Sequence, residues 1–202
     1  MYVIGLTGGI ASGKSTVSKI LFEAGAFILD ADQIAHDVVK PHSPAWADIV
    51  NTFGKAVLCT DRTVDRRKLG NIIFQDEPAR KRLEAIMHPH VRQCIDENLT
   101  EYARQDGKIA VVDVPLLYEV GWQQLANEVW VVYVERDTQL QRLLNRNGLS
   151  PAQARARIAA QMDLAAKAGL ADVVIDNSRE LQYTRSQVLA AWKQAVKRAA
   201  LQ

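Results

Sequence analysis

The chain has 202 residues, a formal net charge of +2 and two cysteines, Cys59 and Cys94. That length supports one sizeable core with a small inserted subdomain, and the charge balance argues against a polybasic face for nucleic acid or anionic membrane. Two cysteines make no disulfide framework, no apolar run approaches the roughly 18 residues of a membrane helix, and the opening "MYVIGLTGGI" has neither basic flank nor cleavage site. The expectation is a soluble cytoplasmic globular protein.

The first apolar run, "YVIGLT" (2–7), reads as a strand and leads through a glycine-rich turn into a helical pattern over 14–24. A second run, 26–30, ends at Asp30, Ala31 and Asp32 and passes directly into a helical pattern over 31–40. Residues 41–107 show no strong strand but several helical patterns, among them "EPARKRLEAIM" and "HVRQCIDENLTEYARQ". Pro89, in "MHPHV" between these two patterns, reads as a turn that begins the second helix. Three further apolar runs follow at 109–114, 129–135 and 172–176, with helices expected over 137–146 and 180–198. All five runs are rich in Val and Ile and nearly continuous, as strands buried on both faces are. Between the last two, residues 147–170 are polar, Arg-rich and Ala-rich. "SPAQ" at 150–153 starts a helix there, with Ser150 as cap, Pro151 at the first position and Gln153 completing a capping box. Strands alternating with helices predict an α/β fold: a five-stranded parallel sheet flanked by helices. Within that single domain, 1–40 and 108–202 form the core, 41–107 a helical insertion and 147–170 a lid.

The turn after the first strand carries G-x-x-x-x-G-K-S as Gly8, Gly13, Lys14 and Ser15, the spacing and context of a P-loop. Glycine lets the backbone curl so that N–H groups from Gly8 and Gly9 through Ala11, Ser12 and Gly13 face phosphate oxygens. The following helix presents its positive end. Lys14 reaches the outer phosphates of ATP, the Ser15 hydroxyl suits Mg²⁺, and Thr16 falls near the α-phosphate. No Asn-Lys-x-Asp guanine motif is present, which argues against a GTPase switch. Arg142 and Arg146 lie four apart on one helix face, with Arg157 in the flap beyond; phosphoryl transfer uses such cations to neutralise spread charge. Asp113, near the end of the third strand, suits two roles: holding a water on Mg²⁺ or closing a turn. Glu119 is a weaker candidate for acceptor contacts. His88, His90 and Cys94 match neither a zinc spacing nor a triad signature. A compact P-loop protein with a helical insertion and an Arg-rich flap reads as a small-molecule kinase. The rivals are a kinase for another hydroxyl acceptor and a nucleotide-gated binding module with slow ATPase activity.

These residues together resemble the dephospho-CoA kinase family almost end to end. The resemblance rests on "IGLTGGIASGKST", "DADQIAHDVV", "HPHV", "VVDVPLLYE", the R-x-x-x-R of 142–146 and "ADVVIDN" at 171–177. Ala11 stands where many members have Gly, and Asn127-Glu128 precedes the fourth strand where an Asp is expected. The resemblance implies MgATP-dependent phosphorylation of the ribose 3′-hydroxyl of dephospho-CoA, an adenylate-kinase-like core, a CoA-binding insertion and a lid. It implies Asp32 as catalytic base, aided by Lys14, Arg142 and Arg146, with Asn177 either near the adenine or a turn residue. Asp30 is then expected to be structural, accepting a turn or helix-start hydrogen bond or holding nearby basic groups. ATP and dephospho-CoA are the expected small-molecule partners, with no nucleic acid or membrane, for a monomer or weak homo-oligomer.

Overall fold

Each of the five apolar runs becomes a strand of one sheet. The structure, a computed structural model, describes residues 1–201, the side chains of Arg146 and Asn147 aside. The strands are β1 (Tyr2–Gly8), β2 (Phe27–Asp30), β3 (Ile109–Asp113), β4 (Glu128–Tyr133) and β5 (Val173–Asp176), in the order β2-β3-β1-β4-β5. The pairings of β1 with β3, β1 with β4 and β4 with β5 are parallel. β1 is buried at every position, which is why its sequence does not alternate. In register, Leu6 pairs with Asp113, and Gly8 with Val132. The β3 carboxylate therefore stands beside the end of β1.

The helices are α1 (Lys14–Glu23), α2 (Ala31–Asp37), α3 (Pro44–Phe53), α4 (Arg66–Gln75), α5 (Glu77–Arg104), α6 (Arg136–Asn147), α7 (Pro151–Ala159), α8 (Leu164–Gly169) and α9 (Leu181–Ala199). The chain divides into two compact units. One comprises Met1–Leu29 and the chain from Ala103 onward; the other is Asp30–Tyr102. In the first, Ile4, Leu6, Trp130 and Ile175 of the sheet pack with Val17 and Leu21 of α1 and Val188 of α9. In the second, Ile49, Val57 and Leu69 form a smaller core, joined by Val39, Phe53, Leu83 and Met87. This helical unit starts at Asp30, so α2 and Asp32 go with it and not with the sheet, whereas the sequence pattern places that boundary at 41.

One expectation is corrected. Pro89 does not begin a helix; it lies inside α5, which runs unbroken for 28 residues. An interior proline loses one backbone hydrogen bond and crowds the preceding turn, at a cost of about 3 kcal/mol relative to alanine. Packing on both sides outweighs this. Leu83, Ile86 and Met87 join the small core before Pro89, and Val91, Ile95 and Leu99 are buried after it. α2 ends at Asp37, three residues short of the expected 40, ahead of Pro41.

Candidate active site

The P-loop links the central strand to α1. Its backbone turns twice through the left-handed region, at Ala11 (φ 60°) and Gly13 (φ 91°). Glycine adopts this freely; Ala11 does so under strain. Inside the loop the Ser12 N–H donates to the Gly9 carbonyl at 3.0 Å and the Thr16 N–H to that of Gly13 at 2.9 Å. The N–H groups of Gly13, Lys14 and Ser15 find no protein acceptor among the described residues, and no side chain caps α1. By contrast Asp30, Ser43, Asp65, Ser150 and Asp163 cap α2, α3, α4, α7 and α8. Uncapped N–H groups at a helix start form an anion site by both hydrogen bonding and dipole.

Distant parts of the chain hold the loop in shape. The Asn177 amide donates to the Ser12 carbonyl at 2.8 Å, and its oxygen accepts from the Thr184 hydroxyl at 2.8 Å. Arg142 donates to the Asn177 carbonyl at 2.9 Å. Gln139 donates to the Ile10 carbonyl at 2.8 Å, while the Ile10 N–H donates to Gln161 at 2.7 Å. Asn177 is thus a buried brace whose carboxamide is occupied at both ends, and Arg142 stands against it beside Gly13. Neither Gln139 nor Gln161 stands out in the sequence. The only hint there is that Gln139 precedes Arg142 by one turn of α6.

Lys14 and Asp113 form an ion pair, with the carboxylate almost wholly buried. The β1–β3 register creates this contact. Ser15 is exposed at the start of α1 and Thr16 half-buried. Arg146 belongs to α6, but its side chain lies outside the described residues. Arg157 is exposed on α7. Glu119 is engaged within the protein, pairing with Lys167 at 2.8 Å. In the helical unit His90 bonds Asp48 at 3.0 Å, and no cluster of three or more metal-ligating side chains occurs among the described residues.

The two aspartates of "DAD" are now distinguished. Asp30 caps α2, accepting from the N–H groups of Asp32 (2.9 Å) and Gln33 (3.2 Å) through one oxygen. Asp32 occupies the first turn of α2 with its side chain exposed. It lines a cavity of about 630 Å³ contained in the helical unit. Asp32, Ala35 and His36 of α2 and Val39 just beyond it line this cavity, with Leu69 and Ile73 of α4 and Leu83 and Met87 of α5. Lys40 and Arg66 add positive charge to the lining. Lys40 also pairs with Asp37 at 2.9 Å, and hydrogen bonds from Lys40 and then Gln33 hold the Asp37 carboxyl below its ordinary range.

Comparison with known proteins identifies the family. The dephospho-CoA kinase (CoaE) family model matches residues 2–182. A dephospho-CoA kinase of Symbiobacterium thermophilum is 52% identical over 195 residues, 96% of this chain and 82% of the relative. The structure of a dephospho-CoA kinase from Campylobacter jejuni superposes with a TM-score of 0.74 at 30% identity, covering 96% of this chain and 97% of the other. That of TT1252 from Thermus thermophilus gives 0.82 at 31% identity, covering 96% of both. With a braced, uncapped phosphate loop in a parallel sheet and a family match over nearly its whole length, the chain belongs to the dephospho-CoA kinase family.

Proposed function

We propose that this chain transfers the γ-phosphate of ATP to the ribose 3′-hydroxyl of dephospho-CoA, giving CoA and ADP, with Asp32 as general base. The observation that carries the reading is the uncapped α1 start with Lys14 held at its mouth. Lys14 exchanges Asp113 for the outer phosphates, and the N–H groups of Gly13, Lys14 and Ser15 donate to the phosphate oxygens. Arg142, anchored by Asn177, keeps further guanidinium N–H groups for the transferring group. Arg146, one turn on, shares that task. The Ser15 hydroxyl and the Asp113 carboxylate suit an oxygen-seeking cation, and Mg²⁺ held there would neutralise phosphate charge.

For the acceptor, the helical unit offers a mostly apolar cavity of the size that holds a small-molecule ligand. Asp32 is the carboxylate in its lining, free of the capping duty that occupies Asp30. A carboxylate hydrogen-bonded to the 3′-hydroxyl aligns it and takes its proton as the new P–O bond forms. The reading is of a cytoplasmic enzyme acting as a monomer or weak homo-oligomer, with no nucleic acid or membrane partner. Among the described residues no helix is long and apolar enough to cross a membrane.

ADP release with dephospho-CoA, compared with nucleoside monophosphates and sugar acids, tests the acceptor. Turnover on another acceptor with none on dephospho-CoA overturns the assignment. Asp32→Asn is expected to lower kcat by about 10²–10⁴ with ATP binding intact. Near-normal turnover by that variant would remove Asp32 from the role.

A further inference from the structure

We propose that Lys167 is a positioning residue of the phosphate cradle, its buried ammonium fixing the first carbonyl of the P-loop and tying that loop to the end of the lid. The inference rests on the ATP-binding half of the function above.

Lys167 of α8 is fully buried, which lysine almost never is unless paired. Its ammonium has three donors and meets three oxygens. These are Glu119 Oε1 at 2.8 Å, the Pro115 carbonyl at 3.1 Å and the Gly8 carbonyl at 3.5 Å. Gly8 is the first residue of the P-loop. Pro115 lies two residues beyond Asp113, and its carbonyl also accepts from the Thr7 hydroxyl at 3.0 Å. One ammonium therefore touches both segments whose side chains form the Lys14–Asp113 pair. The Glu119 oxygen that meets Lys167 accepts as well from the N–H of Met162, in the segment between α7 and α8. One residue earlier, Gln161 holds the Ile10 N–H.

Packing alone does not explain this choice of residue. A buried ion pair can often be replaced by apolar side chains of similar volume without loss of stability. What an apolar side chain cannot do is hold carbonyls. In a trans peptide the C=O and the next N–H point in opposite directions. Holding the Gly8 oxygen toward Lys167 thus sets the direction of the Gly9 N–H. The fixed positive charge also lies beside the end of β1, where phosphate charge gathers.

Lys167→Met, which keeps the stem and removes the ammonium, decides the matter. The expected result is a folded protein whose ATP Kd and KM rise at least tenfold, while KM for dephospho-CoA stays within twofold. A folded variant with ATP Kd unchanged overturns the proposal. So does an equal rise in both KM values, the mark of general loosening. If Lys167→Met does not fold, Glu119→Gln takes its place: a rise of threefold or more in ATP Kd alone supports the role, and an unchanged value overturns it. ATP Kd is measured without acceptor, so this result is independent of whether dephospho-CoA is the substrate.

Discussion

Single atoms decide whether the loop holds phosphate. A Cβ placed on Gly13 would collide with the Asn177 amide, and the backbone there sits at φ 91°. Gly13→Ala must bear left-handed strain of about 1–2 kcal/mol and also push Asn177 off the Ser12 carbonyl. We expect it to lose ATP binding by at least tenfold in a nucleotide titration and to unfold at lower urea. Ala11, at φ 60°, carries the same kind of left-handed strain one turn of the loop earlier. The P-loop was legible because its spacing is local and its physics is carried by the backbone. The braces were not. Asn177, Gln139 and Gln161 act across 129 to 165 residues of chain, through amides that follow no pattern. Of the structural roles expected for Asp30, it takes the helix start, since an acid at a strand end before a helix is itself a local signal.

At the level of elements, caps were readable and continuity was not. The capping box of α7 is present as expected, with the Ser150 hydroxyl accepting from the Gln153 N–H and the Gln153 side chain accepting from Ser150 N–H. Ser150→Ala should weaken this helix start by about 1 kcal/mol. Hydrogen exchange at Gln153 and its neighbours should then quicken by about fivefold, with the sheet unaffected. An unchanged exchange rate would mean that packing of Ala154 alone secures the turn. Pro89 is the opposite case. Local chemistry argues for a break, and burial of side chains on either side keeps α5 whole. Burial depends on partners from other elements, which no single window of sequence contains.

Across the whole molecule, the five strands were legible and their order was not, because β1 pairs with strands more than a hundred residues later. The far end of the sheet shows what secures that arrangement. Arg198 of α9 pairs with the buried Glu128 of β4 at 2.6 Å and donates to the Tyr2 hydroxyl of β1 at 3.2 Å. Burial pushes the Tyr2 phenol above its ordinary value, with the Arg198 hydrogen bond pulling the other way. A phenol whose native pKa is raised favours the fold fully below the unfolded value of about 10, and that contribution is lost as pH climbs through the native value. Tm should therefore fall more steeply above about pH 10 in the native chain than in Tyr2→Phe. Parallel slopes in thermal melts from pH 8 to 11 would exclude Tyr2 as the source.

The brace between Ser12 and Asn177 also orders events in time. The first sixteen residues contain the entire phosphate motif, yet the amide that holds its Ser12 carbonyl is made 165 residues after Ser12. At about 5–20 residues per second, a growing chain carries the motif for roughly ten to thirty seconds before its brace exists. During synthesis the nascent chain is thus expected to lack this brace on its nucleotide loop for most of its emergence. ATP stabilises only the nearly finished fold, so the ligand rewards completion of the chain over any intermediate length.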